Sequence, residues 1–213
     1  MAKLRIRQHV NPLARKYQSS LNIPDWHHVY LDPKRPLHLD IGCAKGEFLL
    51  EMAQLILNFN FLGVEIRSPL VENANLERDR LGLTNLHYLY GNINNSIEPL
   101  LKSLPLGVLQ YVTIQFPDPW FKNKHRKRRV VRSQLVDCLA RYLVEGGMVF
   151  VQSDVEFLAL QIHQSFSSHP NFYNTHPDLW LSTNPLPILT EREKYSLDRH
   201  KKVYRTVFVK QKV

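Results

Sequence analysis

Short apolar segments alternate with segments of helical periodicity along most of this chain, and this alternation restricts the possible folds more than any other feature. Strands are predicted at residues 37–41, 61–65, 86–90, 108–115 and 147–152, and helices at about 46–58, 68–83, 133–143 and 155–167. Strands joined through helices form parallel sheets covered by helices. A late strand is predicted at 203–210, where β-branched and aromatic residues favour an antiparallel position at or near the sheet edge. The sequence therefore predicts an α/β fold with a mostly parallel sheet.

The size and composition are those of an ordinary globular domain. The chain has 213 residues, 44% of them hydrophobic, and no apolar run approaches the ~20 residues that cross a bilayer. The N-terminus lacks the apolar centre of a secretory signal, so we expect a cytoplasmic protein without a membrane segment. Cys43 and Cys138 have neither disulfide nor metal-ligand spacing, and we expect both to be reduced core residues. His27 and His28 have no zinc-ligand pattern around them, and no metal is expected.

Residues 122–132 form the most strongly charged segment. They include seven Lys or Arg residues and no acid. The whole chain has 28 basic and 19 acidic side chains, so its formal net charge of +9 would fall to +2 without this run. Locally concentrated positive charge favours a polyanion. Asp118 lies just before the run between two prolines, which predicts a nucleic-acid enzyme whose run positions the polyanion while the carboxylate meets a base.

The N-terminal segment is basic too. It carries Lys3, Arg5, Arg7, Arg15 and Lys16, with no acid before Asp25. We expect roughly the first 25 residues to become ordered only on a nucleic acid.

Two acidic residues end the first two predicted strands in a pattern typical of nucleoside binding. Glu65 ends the second strand, where a carboxylate can accept both hydroxyls of a ribose. Asp40 precedes Gly42 and Gly46, whereas dinucleotide sites use G-x-G-x-x-G to admit a pyrophosphate. A carboxylate at Asp40 repels a diphosphate and favours an ammonium group, which points to S-adenosylmethionine. The alternative is that the two glycines only form a tight strand-to-helix turn.

Asn92 follows the third predicted strand. In a nucleoside-binding sheet an amide or carboxylate at this point commonly contacts the adenine edge. A turn-forming Gly91-Asn92 pair explains the same residues equally well.

With these features placed, the chain resembles the bacterial tRNA (guanine-N7-)-methyltransferase family over about residues 5–210. The resemblance rests on RQHVNPL at 7–13, LDIGCAKGEFLLEMA at 39–53, FLGVEIR at 61–67, QFPDPWFKNKHRKRR at 115–129, QSDVEF at 152–157, TEREK at 190–194 and VYRTVFV at 203–209. It implies the class I S-adenosylmethionine-dependent methyltransferase (Rossmann-like) fold, with a basic arm at 1–30 and one methyltransferase domain at 31–213. The implied reaction is methylation of guanine N7 at position 46, in the variable loop of tRNA.

The resemblance also implies roles for individual residues. The implied cofactor-binding residues are Asp40, Gly42, Glu65, Asn92 and Asp118, and Asp118 is also the implied catalytic residue. The implied substrate-binding residues are Lys122, Asp154, Thr190, Glu191, Arg192 and Glu193. The implied RNA-binding residues are Lys124, Arg126, Lys127, Arg128 and Arg129. The expected partner is tRNA, with no obligate protein partner.

Two positions depart from the family pattern. Ala44 stands where the family typically has glycine, and we expect it to crowd the cofactor slightly. Asn92 stands where the family commonly has Asp, which keeps hydrogen bonding and removes one charge.

The reaction itself assigns a limited task to the protein. Guanine N7 carries an in-plane lone pair and no proton, so its attack on a sulfonium methyl needs alignment and no general base. The product guanine is cationic, and a carboxylate such as Asp118 stabilises a charge that develops during bond formation. Asp118 can also accept from guanine N1–H and N2–H, unless it only ends a strand.

Other residues have two interpretations each. Asp154 is a second guanine anchor, the N-cap of the next helix or both. Thr190 to Glu193 form a capping box, a substrate wall or both. Phe116 is expected in the core, and Trp120 either packs there or stacks on the extruded base.

Two other functions compete with RNA methylation. A noncatalytic RNA-binding subunit is supported only by Ala44 and Asn92. In a small-molecule methyltransferase, the basic run would merely be a solvated face.

Overall fold

The computed structural model describes residues 9–212 and shows an α/β domain built on a seven-stranded sheet. The strands are β1 (Leu37–Ile41), β2 (Asn60–Glu65), β3 (Leu86–Tyr90), β4 (Leu109–Gln115), β5 (Met148–Ser153), β6 (Phe172–Asn174) and β7 (Tyr204–Lys210). Their order across the sheet is β3-β2-β1-β4-β5-β7-β6. The first five strands are parallel, and β7 is antiparallel to β5 and to β6. The predicted late antiparallel strand near the sheet edge is therefore confirmed.

The helices connect the strands over both faces of the sheet. They are α1 (Trp26–Val29), α2 (Glu47–Leu55), α3 (Ser68–Arg80), α4 (Ile93–Ser103), α5 (Ser133–Tyr142), α6 (Glu156–Ser167) and α7 (Glu191–Leu197). Short 3-10 helices cover Arg15–Tyr17 and Asn123–Arg128. Since β1 to β5 are parallel, the loops that follow them meet at one side of the sheet, which we call the carboxyl edge.

Burial explains why these segments form the sheet. Every residue of β1 and of β2 is buried, as expected for strands covered by helices on both faces. Cys43 and Cys138 are buried free cysteines, as predicted. Among residues 9–212, no helix is long and apolar enough to cross a membrane.

Helix α4 was not predicted from the sequence. Its segment, INNSIEPLLKS, contains asparagines and a proline that disfavour a helix. The available signal was the helical spacing of Ile93, Ile97, Leu100 and Leu101, all of which are buried. The short β6 and α1 were missed as well. Helix α3 begins at Ser68, as predicted, and Arg67 is its N-cap residue.

The segment before β1 packs onto this fold. Tyr17, Leu21 and Trp26 are buried, and the main-chain N–H of Leu21 donates to Ser96 Oγ at 3.0 Å. The indole of Trp26 donates to Ser103 Oγ, also at 3.0 Å. The expectation that about 25 residues need a nucleic acid to become ordered is thus wrong for residues 9–25, because apolar anchors hold them. Lys3, Arg5 and Arg7 lie outside the described residues, and the boundary at residue 30 stays a prediction.

Candidate active site

The loop after β1 contains two glycines that serve different purposes. Gly46 has φ +79°, and a Cβ there would lie 2.6 Å from the ring of Tyr88, so close packing and the turn both require glycine. Gly42 has φ +83°, but nothing lies within 4 Å of the position a Cβ would occupy. The turn interpretation therefore suffices for Gly46, while Gly42 leaves an open approach to the main chain at the carboxyl edge.

Asp40 lies buried at the end of β1 in a chain of hydrogen bonds. Thr113 Oγ1 donates to Asp40 Oδ1 at 2.6 Å, and His38 Nε2 lies 3.1 Å from the same hydroxyl. Burial lowers the pKa of His38 to about 3, so the imidazole is neutral and its Nε2–H donates to Thr113. Burial raises the pKa of Asp40 to about 6, although the bond from Thr113 opposes this shift. A buried carboxylate of this kind gains most from a cationic partner such as an ammonium group.

Glu65 ends β2 with its side chain buried and all its acceptor positions in use. Main-chain N–H groups of Ala44 and Arg67 donate to it at 3.1 and 3.0 Å. The guanidinium of Arg67 adds bonds of 2.9 and 3.0 Å. Burial opposes the charge of Arg67, but Glu65 and then Asp118 raise its pKa. The two main-chain bonds orient the carboxylate, and a ribose can take the positions that the Arg67 side chain now holds.

Ala44 and Asn92, the two departures from the family pattern, both have local roles. Ala44 adopts φ +50°, a conformation that favours glycine, and its N–H orients Glu65. Asn92 Oδ1 caps α4 by accepting from the N–H of Asn94 at 3.2 Å. Its amide nitrogen donates to the carbonyls of Pro12 at 3.0 Å and Tyr17 at 3.3 Å. An Asp could not donate to these carbonyls. Asn92 therefore caps α4. Contact between Asn92 and adenine stays a prediction, and such a contact would have to use the side-chain oxygen or the main chain of Asn92, since its amide nitrogen is already bound.

Asp118 lies in the loop that follows β4, with its side chain 39% exposed. Phe116 and Trp120, on either side of Pro117-Asp118-Pro119, have φ values of +49° and +44°. Two such residues strain the backbone by roughly 1–3 kcal/mol each, so other contacts must hold this loop. Asp118 Oδ1 lies 2.6 Å from His9 Nδ1. His9 belongs to the RQHVNPL motif, but no role was predicted for it from the sequence.

Arg129 holds the strained loop, although it was predicted to contact RNA. Its guanidinium is buried and donates to the carbonyls of Pro119 at 2.9 Å and Trp120 at 3.1 Å, and also to Gln161 of α6. It also lies 5.1 Å from the ring of Phe157. With its charge facing the interior, Arg129 supports the loop of Asp118 instead of binding a phosphate.

Four other cations of the run face solvent. Lys122, Lys124, Arg126 and Lys127 are exposed, and none has an acidic partner within residues 9–212. Arg128 lies over the ring of Trp120 at 4.8 Å, so one face of that ring is covered. Phe116, expected in the core, is half-buried.

Asp154 follows β5 and binds α7. Its Oδ2 accepts from Arg192 at 2.7 Å and from the hydroxyl of Ser196 at 3.2 Å. Val155 is the N-cap residue of α6, so the interpretation of Asp154 as that cap is wrong. Thr190 caps α7 by accepting from the N–H of Glu193 at 3.2 Å, as the capping motif predicted.

Two acids of α7 have protein partners. Glu191 binds Lys45 of the β1 loop at 2.8 Å, a contact that the sequence did not predict. Glu193 was predicted to bind substrate but is fully buried instead. It accepts from Arg205 at 2.8 Å, Gln152 at 3.0 Å and Asn184 at 2.7 Å. Glu193 therefore anchors α7 to the sheet and is inaccessible to a substrate.

Comparisons with known proteins agree with this architecture. Residues 34–206 match the family described as "Putative methyltransferase". Two solved structures share the fold. Precorrin-6y C5,15-methyltransferase from Geobacter metallireducens has a TM-score of 0.53 and 14% sequence identity, and the match covers 83% of this chain and 82% of that one. An S-adenosylmethionine-dependent O-methyltransferase from Thermotoga maritima has a TM-score of 0.52 and 13% sequence identity, and the match covers 87% of this chain and 62% of that one. The predicted class I methyltransferase fold is thereby confirmed.

Sequence relatives are much closer. A tRNA (guanine-N(7)-)-methyltransferase from Trichormus variabilis is 57% identical over 96% of this chain and 95% of its own length. The corresponding proteins from Microcystis aeruginosa (56%, 98% and 99%) and Synechococcus elongatus (52%, 99% and 99%) match almost end to end. The chain therefore belongs to the tRNA (guanine-N(7)-)-methyltransferase family.

Proposed function

We propose that this protein transfers a methyl group from S-adenosylmethionine to N7 of the guanine at position 46 of tRNA. The observation that carries the proposal is the position of Asp118. Its loop lies between the buried carboxylates of the carboxyl edge and a basic run whose exposed cations have no acidic partner among residues 9–212. This arrangement suits an enzyme that joins a nucleoside cofactor to a polyanionic substrate.

The residues present fit the proposed cofactor. Asp40 would face the ammonium end, Glu65 the ribose hydroxyls, and the open space at Gly42 would admit the ligand to main-chain N–H groups. When bound, S-adenosylmethionine supplies an electrophilic methyl group on a sulfonium sulfur. The Arg67 guanidinium must leave Glu65 before the ribose can bind there.

Asp118 is the proposed catalytic residue. Its carboxylate accepts from guanine N1–H and N2–H, which holds the base in the orientation that points N7 at the methyl group. As the bond forms, the guanine becomes cationic, and the nearby negative charge stabilises that state more than the neutral base. No proton leaves N7. Since His9 now occupies Oδ1 of Asp118, substrate binding must release this hydrogen bond or use the other oxygen.

The partner we propose is tRNA, held by Lys122, Lys124, Arg126, Lys127 and Arg128, and the proposed location is the cytoplasm, where this substrate is found. Asp154, Arg192, Thr190 and Glu191 remain proposed substrate contacts at the rim of the site. A noncatalytic RNA-binding subunit loses its support, because Ala44 and Asn92 both have structural roles.

Mass analysis of tRNA nucleosides tests the proposal. Unmodified tRNA incubated with the protein and S-adenosylmethionine should gain 7-methylguanosine. A tRNA with adenosine at position 46 is the matched control and should gain none. Absence of 7-methylguanosine from the first tRNA would refute the function, and equal methylation of both would refute the position.

A further inference from the structure

A second group of cations lies between α7 and β7, and neither the sequence motifs nor the proposed mechanism uses it. We call Arg199, Lys201 and Lys202 the α7 patch. All three are exposed, and none has an acidic partner within residues 9–212. The patch is therefore free positive surface outside the basic run.

Aromatic rings hold this patch in place. The guanidinium of Arg199 lies 3.8 Å from the ring of Tyr195, and Lys201 lies 5.9 Å from the same ring. Lys202 lies 5.0 Å from the ring of Tyr204. Tyr195 itself is 42% exposed, so the ring and its cations face solvent together. Cations ordered on aromatic faces lose less conformational freedom when they bind an anion.

The turn after α7 fixes the direction of the patch. His200 has φ +53°, and the main-chain N–H of Lys201 returns to the carbonyl of Ser196 at 2.9 Å. The hydroxyl of that same Ser196 binds Asp154 at the end of β5. The patch is thus tied, through one residue, to the carboxyl edge.

The sheet order places the two basic surfaces beside neighbouring strand ends at the carboxyl edge. The basic run follows β4, while the α7 patch is tied to the end of β5, and β4 and β5 are adjacent strands. A folded RNA that places one guanine at Asp118 extends well beyond a single nucleotide. Its backbone can therefore meet the cations of both surfaces.

We propose that the α7 patch is a second tRNA-binding surface, which contacts backbone phosphates away from the methylated guanine. The inference rests on the proposed function, because it takes tRNA as the substrate. Unpaired cations interleaved with exposed aromatic rings fit a nucleic-acid backbone. The alternative is that the α7 patch binds an acidic protein, and the experiment below distinguishes the two.

The test compares two triple variants with equal charge change. The first replaces Arg199, Lys201 and Lys202 with Ala. The matched control replaces Lys34, Lys102 and Lys212 with Ala; these are exposed cations at the opposite edge, since they lie before β1, at the end of α4 and after β7. The patch variant should make the plot of log tRNA affinity against log salt shallower by about two to three units, at about 0.7–0.9 per lost phosphate contact. The loss should appear in KM for tRNA, with cofactor affinity unchanged. The control should keep the parent's slope.

Equal changes in both variants would mean that only net charge matters, and an unchanged slope in the patch variant would mean that the patch does not touch tRNA. Either outcome overturns the proposal. Lysine acetylation of the unmodified protein gives an independent answer that needs no variant to fold. Bound tRNA should protect Lys201 and Lys202 from acetylation but not Lys34 or Lys102. Equal acetylation of Lys201 and Lys202 with and without tRNA would also overturn the proposal. A parent protein that methylates tRNA normally while the patch fails these tests would leave the proposed function intact.

Discussion

The two halves of the carboxyl edge differ in how their charged side chains are paired. In the half formed by the ends of β1 and β2, Asp40 and Glu65 are buried and already hydrogen-bonded by protein donors. In the half that follows β4, Lys122, Lys124, Arg126 and Lys127 are exposed without acidic partners in the described part of the chain. The first half is organised before any ligand arrives, whereas the second depends on its ligand to neutralise it.

This contrast teaches how a site can bind a small cofactor and a large polyanion with one sheet edge. A small ligand gains affinity when its polar partners are fixed beforehand, because little ordering remains to be done. A polyanion gains affinity because its condensed counterions are released on binding. This requires Lys and Arg side chains that have no acidic partner in the protein. Variants in each half should therefore fail in different ways.

The largest expected effect is on tRNA binding. Changing Lys124, Arg126, Lys127 and Arg128 together to Ala should make the plot of log affinity against log salt shallower by roughly two to four units, since each phosphate contact contributes about 0.7–0.9. Cofactor affinity, measured by calorimetry, should hold. A variant with the parent's slope would show that the run is only a solvated face and that the two halves do not differ.

In the cofactor half, Glu65→Ala should weaken S-adenosylmethionine binding by roughly 1.5–3 kcal/mol, the usual scale for hydrogen bonds to a charged group. The salt dependence of tRNA binding should stay as in the parent. Calorimetry at two salt concentrations checks both statements, and an unchanged cofactor affinity would place the ribose elsewhere.

Asp118 lies where the halves meet. Asp118→Asn should lower kcat at least tenfold, about 1.4 kcal/mol in the barrier, because the neutral amide no longer stabilises the cationic product. Neither ligand should lose much affinity. Single-turnover kinetics with both ligands saturating measures the effect, and near-normal turnover would remove Asp118 from the mechanism.

Arg128 and Arg129 sharpen the comparison because they are neighbours with opposite surroundings. Arg129→Met should lower kcat about tenfold, since the loop of Asp118 loses its support, and should leave the salt slope unchanged. Arg128→Met should instead reduce the slope by about 0.7–0.9 with kcat nearly intact. Thermal unfolding of both variants separates local misplacement from global unfolding. A lower salt slope for Arg129→Met together with a lower kcat for Arg128→Met would mean that Arg129 binds phosphate.

The smallest effect concerns pH. Burial raises the pKa of Asp40 to about 6, so the ionised form that favours an ammonium group is lost as the pH falls through that value. Between pH 7 and pH 6, cofactor affinity should fall about twofold. Asp40→Asn should bind the cofactor more weakly and lack this pH dependence. If the variant retained the same dependence, another group would be titrating.

The raised pKa also means that ionisation of Asp40 opposes folding, so its contribution to stability is lost as the pH rises from about 4 to 6.

The sequence predicted the sheet well because its strands are apolar, short and separated by helices. It also predicted that Asp40, Glu65 and Asp118 lie where strands end, and all three lie at the carboxyl edge. These positions follow from where strands end, which periodicity reveals.

Side-chain direction was harder to predict. Nothing in the sequence Lys127-Arg128-Arg129 distinguishes Arg128, which lies half-buried over the ring of Trp120, from Arg129, which points inward. The difference depends on two carbonyls exposed by a strained loop, and on Phe157 and Gln161 in the distant α6. Glu193 is similar, since its partner Arg205 lies on β7 and only the fold brings the two together.

The N-terminal segment has a consequence for how the chain is made. Residues 9–30 find their partners far along the sequence: Pro12 and Tyr17 on Asn92, Leu21 on Ser96, and His9 on Asp118. At ribosomal rates of roughly 5–20 residues per second, His9 waits on the order of 5–20 s for Asp118 to be synthesised. Leu21 and Trp26 likewise wait until Ser96 and Ser103 have been made. Residues 9–30 therefore reach their native place only after more than half of the chain has been made, and an interval of exposed apolar surface accompanies every round of synthesis.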